Sequence, residues 1–127
     1  MSEDSISADQ KEKIGQVLAE LEGKGMGISA VISRDGTLLV AHTAPGGEDK
    51  IFAPMYAAML GAAEEATSEL RLGLPHRVKM EVGDKKMIVK GAGPKAILVA
   101  LVGEKTNSSE AIAEIDKAAD EIKAVMR

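Results

Sequence analysis

The stretch GKGMGISAVISRDGTLLV, residues 23–40, decides how the whole chain is read. Gly23, Gly25 and Gly27 stand beside an apolar run, as glycines do in a phosphate-binding loop. A dinucleotide fingerprint, however, needs a strand before its glycines and a helix after them, so that helix N-terminal amides meet the pyrophosphate. Here the order is reversed. Ile14, Val17, Leu18 and Leu21 recur at helical spacing ahead of the glycines, and an apolar run follows them. GKGMG also departs from the GxGxxG spacing. The glycines read as a helix end and a hinge, where Gly supplies a positive φ at little cost. Asp35-Gly36, set between apolar residues 28–33 and 38–41, then marks a β-hairpin. Both hairpin strands are apolar at neighbouring positions, which calls for cover above and below.

Working outward, Ser7-Ala8-Asp9-Gln10 forms a capping box at the start of the first helix. Residues 1–6 are polar and read as frayed, and residues 42–50 read as a loop. Residues 51–72 form the longest helical segment, with Pro54 in its first turn and Gly73 and Pro75 ending it. Three strands follow. Residues 76–82 alternate, with Val78, Met80 and Val82 on one face and Arg77, Lys79 and Glu81 on the other. Residues 86–90 are a short strand, and 96–102 are apolar throughout. A closing helix spans about 109–126 with Ile112, Ile115, Ala119, Ile122 and Val125 on its inner stripe. The order α-β-β-α-β-β-β-α, with short connections, predicts a five-stranded antiparallel sheet in a three-layer α/β/α sandwich. Strands 28–33 and 96–102 belong at its centre, in one domain of 127 residues.

Composition excludes several function classes. Apolar residues make up 45% of the chain but aromatic residues only 2%, so the core is aliphatic and no stacking platform for nucleic acid exists. The net charge of −4 argues against a polyphosphate binder. Without cysteine there is no disulfide framework, zinc–thiolate site or thiol chemistry, as suits a reducing compartment. The acidic N-terminus is unlike a signal peptide, and no apolar run approaches the ~20 residues of a membrane helix. These features predict a soluble cytoplasmic protein without membrane insertion.

Catalytic and cofactor motifs are missing from the sequence. Gly103-Glu104-Lys105-Thr106 follows a strand, but Walker A needs a Gly before its Lys, and Glu104 would repel phosphate. His42 and His76 are the only histidines, and neither has a metal-binding partner at the right spacing. Glu64-Glu65 reads as a solvated helix face. Asn107-Ser108-Ser109 reads as a helix cap rather than a glycan acceptor. The sequence therefore predicts no catalytic residue, no metal and no cofactor.

What stands out is FAPMYAAMLGAAEEA, residues 52–66, apolar nearly all round until Glu64. A helix of this kind is buried on more than one side, and a chain this small has little left to cover the second side. Ala58, Ala62 and Ala66 form one row of small residues, which lets helix backbones approach closely. Phe52, Met55, Tyr56 and Met59 add apolar surface. Residues 71–95 hold seven Lys or Arg against two acids. The polar face of strand 76–82, with Arg77, Lys79 and Glu81, suits an edge strand or a docking surface. These residues form the expected interface for a second copy or another partner.

ISAVISRDGTLLVAH, APMYAAMLGAAEEATSELRLG, RVKMEV and AILVALVGEKTNSSEAIAEID together resemble the Roadblock/dynein light-chain domain family, over about residues 9–126. The resemblance implies a profilin-like domain that forms homodimers, heterodimers or larger assemblies through its central helix and neighbouring edge strand, here near Phe52–Ala66 and Arg77–Val82. It also implies a non-enzymatic scaffold for a small Ras-like GTPase, of the stand-alone prokaryotic or archaeal type. The alternative is a small-molecule sensor of the profilin or PAS-like type, which requires an apolar cavity of a few hundred Å3 between sheet and central helix.

Overall fold

The computed structural model describes residues 6–43 and 51–127. Its elements run α1 (Ala8–Gly23), β1 (Ile28–Ser33), β2 (Leu38–His42), α2 (Ala53–Glu69), β3 (Val78–Val82), β4 (Lys85–Gly91), β5 (Ala96–Val102) and α3 (Ser108–Val125). The strands form one antiparallel sheet in the order β2-β1-β5-β4-β3. The two most apolar strands, β1 and β5, lie side by side inside it, as their composition requires. The order of elements and the three-layer arrangement are those expected from the sequence.

α1 begins on the capping box. The Ser7 amide donates to Gln10 Oε1 at 2.9 Å, and the Gln10 amide donates to Ser7 Oγ at 3.1 Å. It ends on a Schellman motif, the local form of the glycine hinge. The Gly25 amide donates to the Glu22 carbonyl and the Met26 amide to the Leu21 carbonyl. Gly25 has φ +95°, and any Cβ there would collide with Thr106 Oγ1. Its neighbour Met26 is fully buried. The helix end thus turns the chain straight into the core and into β1. α3 is capped by Asn107, whose side chain accepts from the Glu110 amide at 3.1 Å, the role read from the sequence.

α1 and α3 cover one face of the sheet. Ile14, Leu18, Ile115 and Ile122 interleave there with Val31, Ile88, Leu98 and Ala100, all within about 1% of full burial. Gln10 Nε2 donates to the Val125 carbonyl at 3.0 Å, tying the start of α1 to the end of α3. α2 alone covers the other face, over a smaller cluster of Ile32, Ala53, Leu60, Val89, Ile97 and Val99.

Several expectations need adjustment. Residues 1–5 and the expected loop segment 44–50 lie outside the described residues, but Ile6, expected to fray, packs against the core. β2 is an edge strand in which only Val40 is buried, so its cover is partial: Leu39 packs against the α1/α3 side and Leu38 against the α2 side. α2 is shorter than 51–72, because the chain turns at Arg71, with φ 58°. His76 and Arg77 precede β3 rather than opening it. Glu64 is not a solvated residue: it accepts two bonds from Arg34 Nη1, at 3.0 and 3.1 Å.

Candidate interaction face

α2 starts against the β1–β2 turn. Gly36, φ +92°, sits so close to Pro54 that a Cβ would lie 2.8 Å from its Cα. Further along, Arg34 from the same turn bridges Glu64 of α2 and the Gly93 carbonyl in the β4–β5 turn, the latter at 2.9 Å. Ala53 and Leu60 are the only buried residues of the helix. The residues one turn further round reach solvent.

The expected interface residues divide between two sides of the sheet. Met55 is 57% exposed and Phe52, just before the helix, is 60% exposed. Ala58, Ala62 and Ala66 are exposed along the same side, and Met59 is half-buried. Tyr56 leans inward onto the small cluster under α2. The β3 residues lie elsewhere. Lys79 pairs across the ladder with Ile88, which belongs to the α1/α3 core. Cross-strand partners share a face, so Lys79 and Glu81 point away from α2. Arg77 lies on that side too, donating to both Asp116 oxygens of α3 at 3.2 and 3.1 Å. The structure therefore gathers Phe52, Met55, Ala58, Met59, Ala62 and Ala66 on one surface and holds Arg77 in an intramolecular pair.

On the α2 side, the apolar half of the edge strand adjoins this surface. Val78, Met80 and Val82 alternate toward α2, but the helix covers little of them, and Val82 is 70% exposed. Ile28 is 41% exposed and pairs with Leu101, which pairs in turn with Met87, and Met87 with Met80. A cross-strand row of four apolar residues thus continues the α2 surface to the free edge of β3. Alternation in residues 76–82 was the available signal. It showed an apolar face without showing how far α2 reaches over it. Leu70, Leu72 and Leu74 add further exposed apolar surface beyond α2. In the β3–β4 turn, a hydrogen bond with Glu104 holds the Asp84 carboxyl below the usual carboxylate range.

The cavity between sheet and α2, lined by Ile28, Tyr56, Met87 and Val99 among others, measures only about 20 Å3. Among the described residues this is about the room of a single water, smaller than the few hundred Å3 that a ligand-binding sensor calls for. Among the described residues no cluster of His, Asp and Glu suits a metal ion, and no helix is long and apolar enough to cross a membrane.

A sandwich of this order, with one helix only half shielded, defines a class of small domains, and comparison with known proteins places the chain in it. Residues 13–102 match the model of the Roadblock/LC7 domain, and the chain belongs to that family. It is 35% identical over 114 residues to an uncharacterized protein of Methanocaldococcus jannaschii, covering 88% of this chain and 95% of that protein. Its fold is similar to that of an MglB solved in a tetrameric arrangement, with TM-score 0.85 at 20% identity over 95% of this chain and 93% of the other. It is also similar to profilin II of Acanthamoeba castellanii, with TM-score 0.63 at 19% identity over 84% of this chain and 92% of that one. The fold is profilin-like.

Proposed function

We propose that the protein is a non-enzymatic, cytoplasmic scaffold that homodimerises through α2 and the edge of β3 and presents a surface to a small Ras-like GTPase. One observation carries this reading: α2 buries only Ala53 and Leu60 within its own subunit and leaves Phe52 and Met55 more than half exposed. Apolar patches of this extent mark interaction sites. The row Ala58, Ala62, Ala66 lets a second α2 approach closely. The tetrameric arrangement of an MglB with this fold and the family membership of the chain support assembly.

β3 supplies a register for it. Among the described residues the strand pairs only with β4, which leaves its outer edge available to extend the sheet. A two-fold axis at Met80 would set Lys79 opposite Glu81 of a second copy and Glu81 opposite its Lys79. Opposite charges directly across an antiparallel pair contribute roughly 0.2–1 kcal/mol each. The same axis brings the exposed apolar surfaces of α2 and β3 together across the two copies, and the paired chains form the platform for the GTPase.

Light scattering tests the assembly. The expected mass is at least twice the 13.3 kDa chain, and a monomer at micromolar concentration would end the proposal. Met55→Glu is the sharper variant, since Met55 lies further outside its own subunit than Met59. It buries a lone charge on association and is expected to give a folded monomer. A Ras-like GTPase loaded with a non-hydrolysable GTP analogue is then expected to co-elute with the wild-type assembly and not with the variant.

A further inference from the structure

A second surface, on the opposite side of the sheet from the α2 face, has a different chemistry. At the end of α3 and the β4–β5 turn lies a cavity of about 300 Å3, lined by Ala92, Pro94, Lys95, Lys123, Met126 and Arg127. Its floor is apolar: Ala92 and Met126 are 2% and 8% exposed and belong to the α1/α3 core. Its rim carries Lys95, Lys123 and Arg127, and no Asp or Glu side chain lines it. The stem of Lys123 lies across Gly93, where a Cβ would come within 2.7 Å of its Cγ. The apolar stem is thus packed while the ammonium stays at the rim.

Several bases of the chain are drawn into ion pairs, as Arg34 is with Glu64, and Arg77 and Lys90 are with Asp116, while others, Lys85, Lys105 and Lys117 among them, are in none within the described residues. Among the described residues, no carboxylate pairs with Lys95, Lys123 or Arg127. Lys123 and Arg127 offset the negative partial charge at the end of α3. That role does not account for Lys95, which comes from a different element and faces the same depression. Three free cations around an apolar floor, in a chain of net charge −4, form a local feature selective for an anion with an apolar body.

We infer that this cavity docks an acidic peptide segment of a partner protein, with one large apolar side chain seated on Ala92, Pro94 and Met126 and flanking carboxylates on Lys95, Lys123 and Arg127. The volume stands at the small end of ligand sites, which suits an anchor side chain and not a whole cofactor. The cations bracket the floor from two elements, so acids on both sides of the anchor find partners. The site is separate from the proposed dimer face and stays accessible when that face is covered.

Fluorescence anisotropy with a labelled Glu-Asp-Phe-Asp-Glu peptide tests the assignment, with Leu, Ile and Trp versions beside it. At least one is expected to bind saturably. Affinity is expected to fall roughly tenfold or more in the Lys95→Glu/Lys123→Glu variant, and by about tenfold when the anchor is replaced by Gly. The exposed variant positions leave circular dichroism and the light-scattering mass unchanged. Failure of all four peptides to saturate, equal binding of the Gly version, or indifference to charge reversal would each overturn the proposal. So would binding of anionic phosphatidylserine vesicles that depends on the same lysines when no peptide binds.

Discussion

The two faces of the sheet are built to different degrees of completion. On one face, α1 and α3 interlock over a continuous aliphatic core whose largest members are fully buried. On the other, α2 sets its buried Ala53 and Leu60 on four buried sheet residues and is held by the clamp of Arg34 with Glu64 and Gly93. Both use the same side-chain types and the same sheet. The difference lies in the second helix, which gives α1 and α3 each a neighbour and leaves α2 with none. The first face holds most of the buried core, and the second leaves apolar surface open to solvent.

That division is tested first where it should be strongest. Leu18→Ala opens a cavity in the closed face and is expected to cost about 3 kcal/mol, roughly 10 °C in melting temperature. The loss should be the same at every protein concentration. Truncations on the open face should behave otherwise. Met55→Ala is expected to leave the melting temperature of the dilute chain nearly unchanged and to lower it only at concentrations where the wild type is assembled, because association stabilises by mass action. Thermal melts across a hundredfold range of concentration separate the two. Equal behaviour of both variants would mean that the faces do not differ in kind.

A third experiment concerns the clamp. Arg34→Ala removes the bidentate contact to Glu64 and the bond to Gly93. The side chains are 33% and 23% exposed, so solvent screens the pair, and the expected loss is modest, about 1–2 kcal/mol. Its location is the informative part. Hydrogen exchange should quicken in α2 and leave α1 and α3 as they were. A uniform increase would show that α2 is no separate unit.

The sequence carried the closed face further than the open one, for physical reasons. Helical spacing in Ile14, Val17, Leu18 and Leu21 and the capping box at Ser7 are local signals, and the structure repeats them. Strand 96–102 could be placed inside the sheet because an unbroken apolar run has no other stable position. The all-round apolar character of residues 52–66 also pointed to a helix short of cover. The reach of that helix over β3 depends on its crossing of the sheet, which no residue pattern encodes. Arg77, Lys79 and Glu81 share one strand parity, but their parity shows only that they share a side. Which side follows from the ladder, through the pairing of Lys79 with Ile88. The Arg34–Glu64 contact joins residues thirty positions apart and leaves no trace in spacing.

The smallest effect comes from the end of α2, which shares one motif with the end of α1 and differs from it in a single residue type. α1 turns at Gly25, φ +95°, and sends Met26 into the core. α2 turns at Arg71, φ 58°, through the same bond pattern: the Arg71 amide donates to the Ser68 carbonyl and the Leu72 amide to the Thr67 carbonyl. Its following residue, Leu72, is left 71% exposed. A side chain in the left-handed region is strained by roughly 1–2 kcal/mol, and glycine relieves that strain while adding freedom to the unfolded chain. Arg71→Gly is therefore expected to stabilise by a few tenths of a kcal/mol, up to about 1. Gly25→Ala should do the opposite and cost about 1–3 kcal/mol, since it adds both the strain and the collision with Thr106. Denaturant titration of the pair measures the sum. If Arg71→Gly destabilised the chain, the Arg71 side chain would be making a contact worth more than its backbone strain, and the end of α2 would count as part of the closed structure.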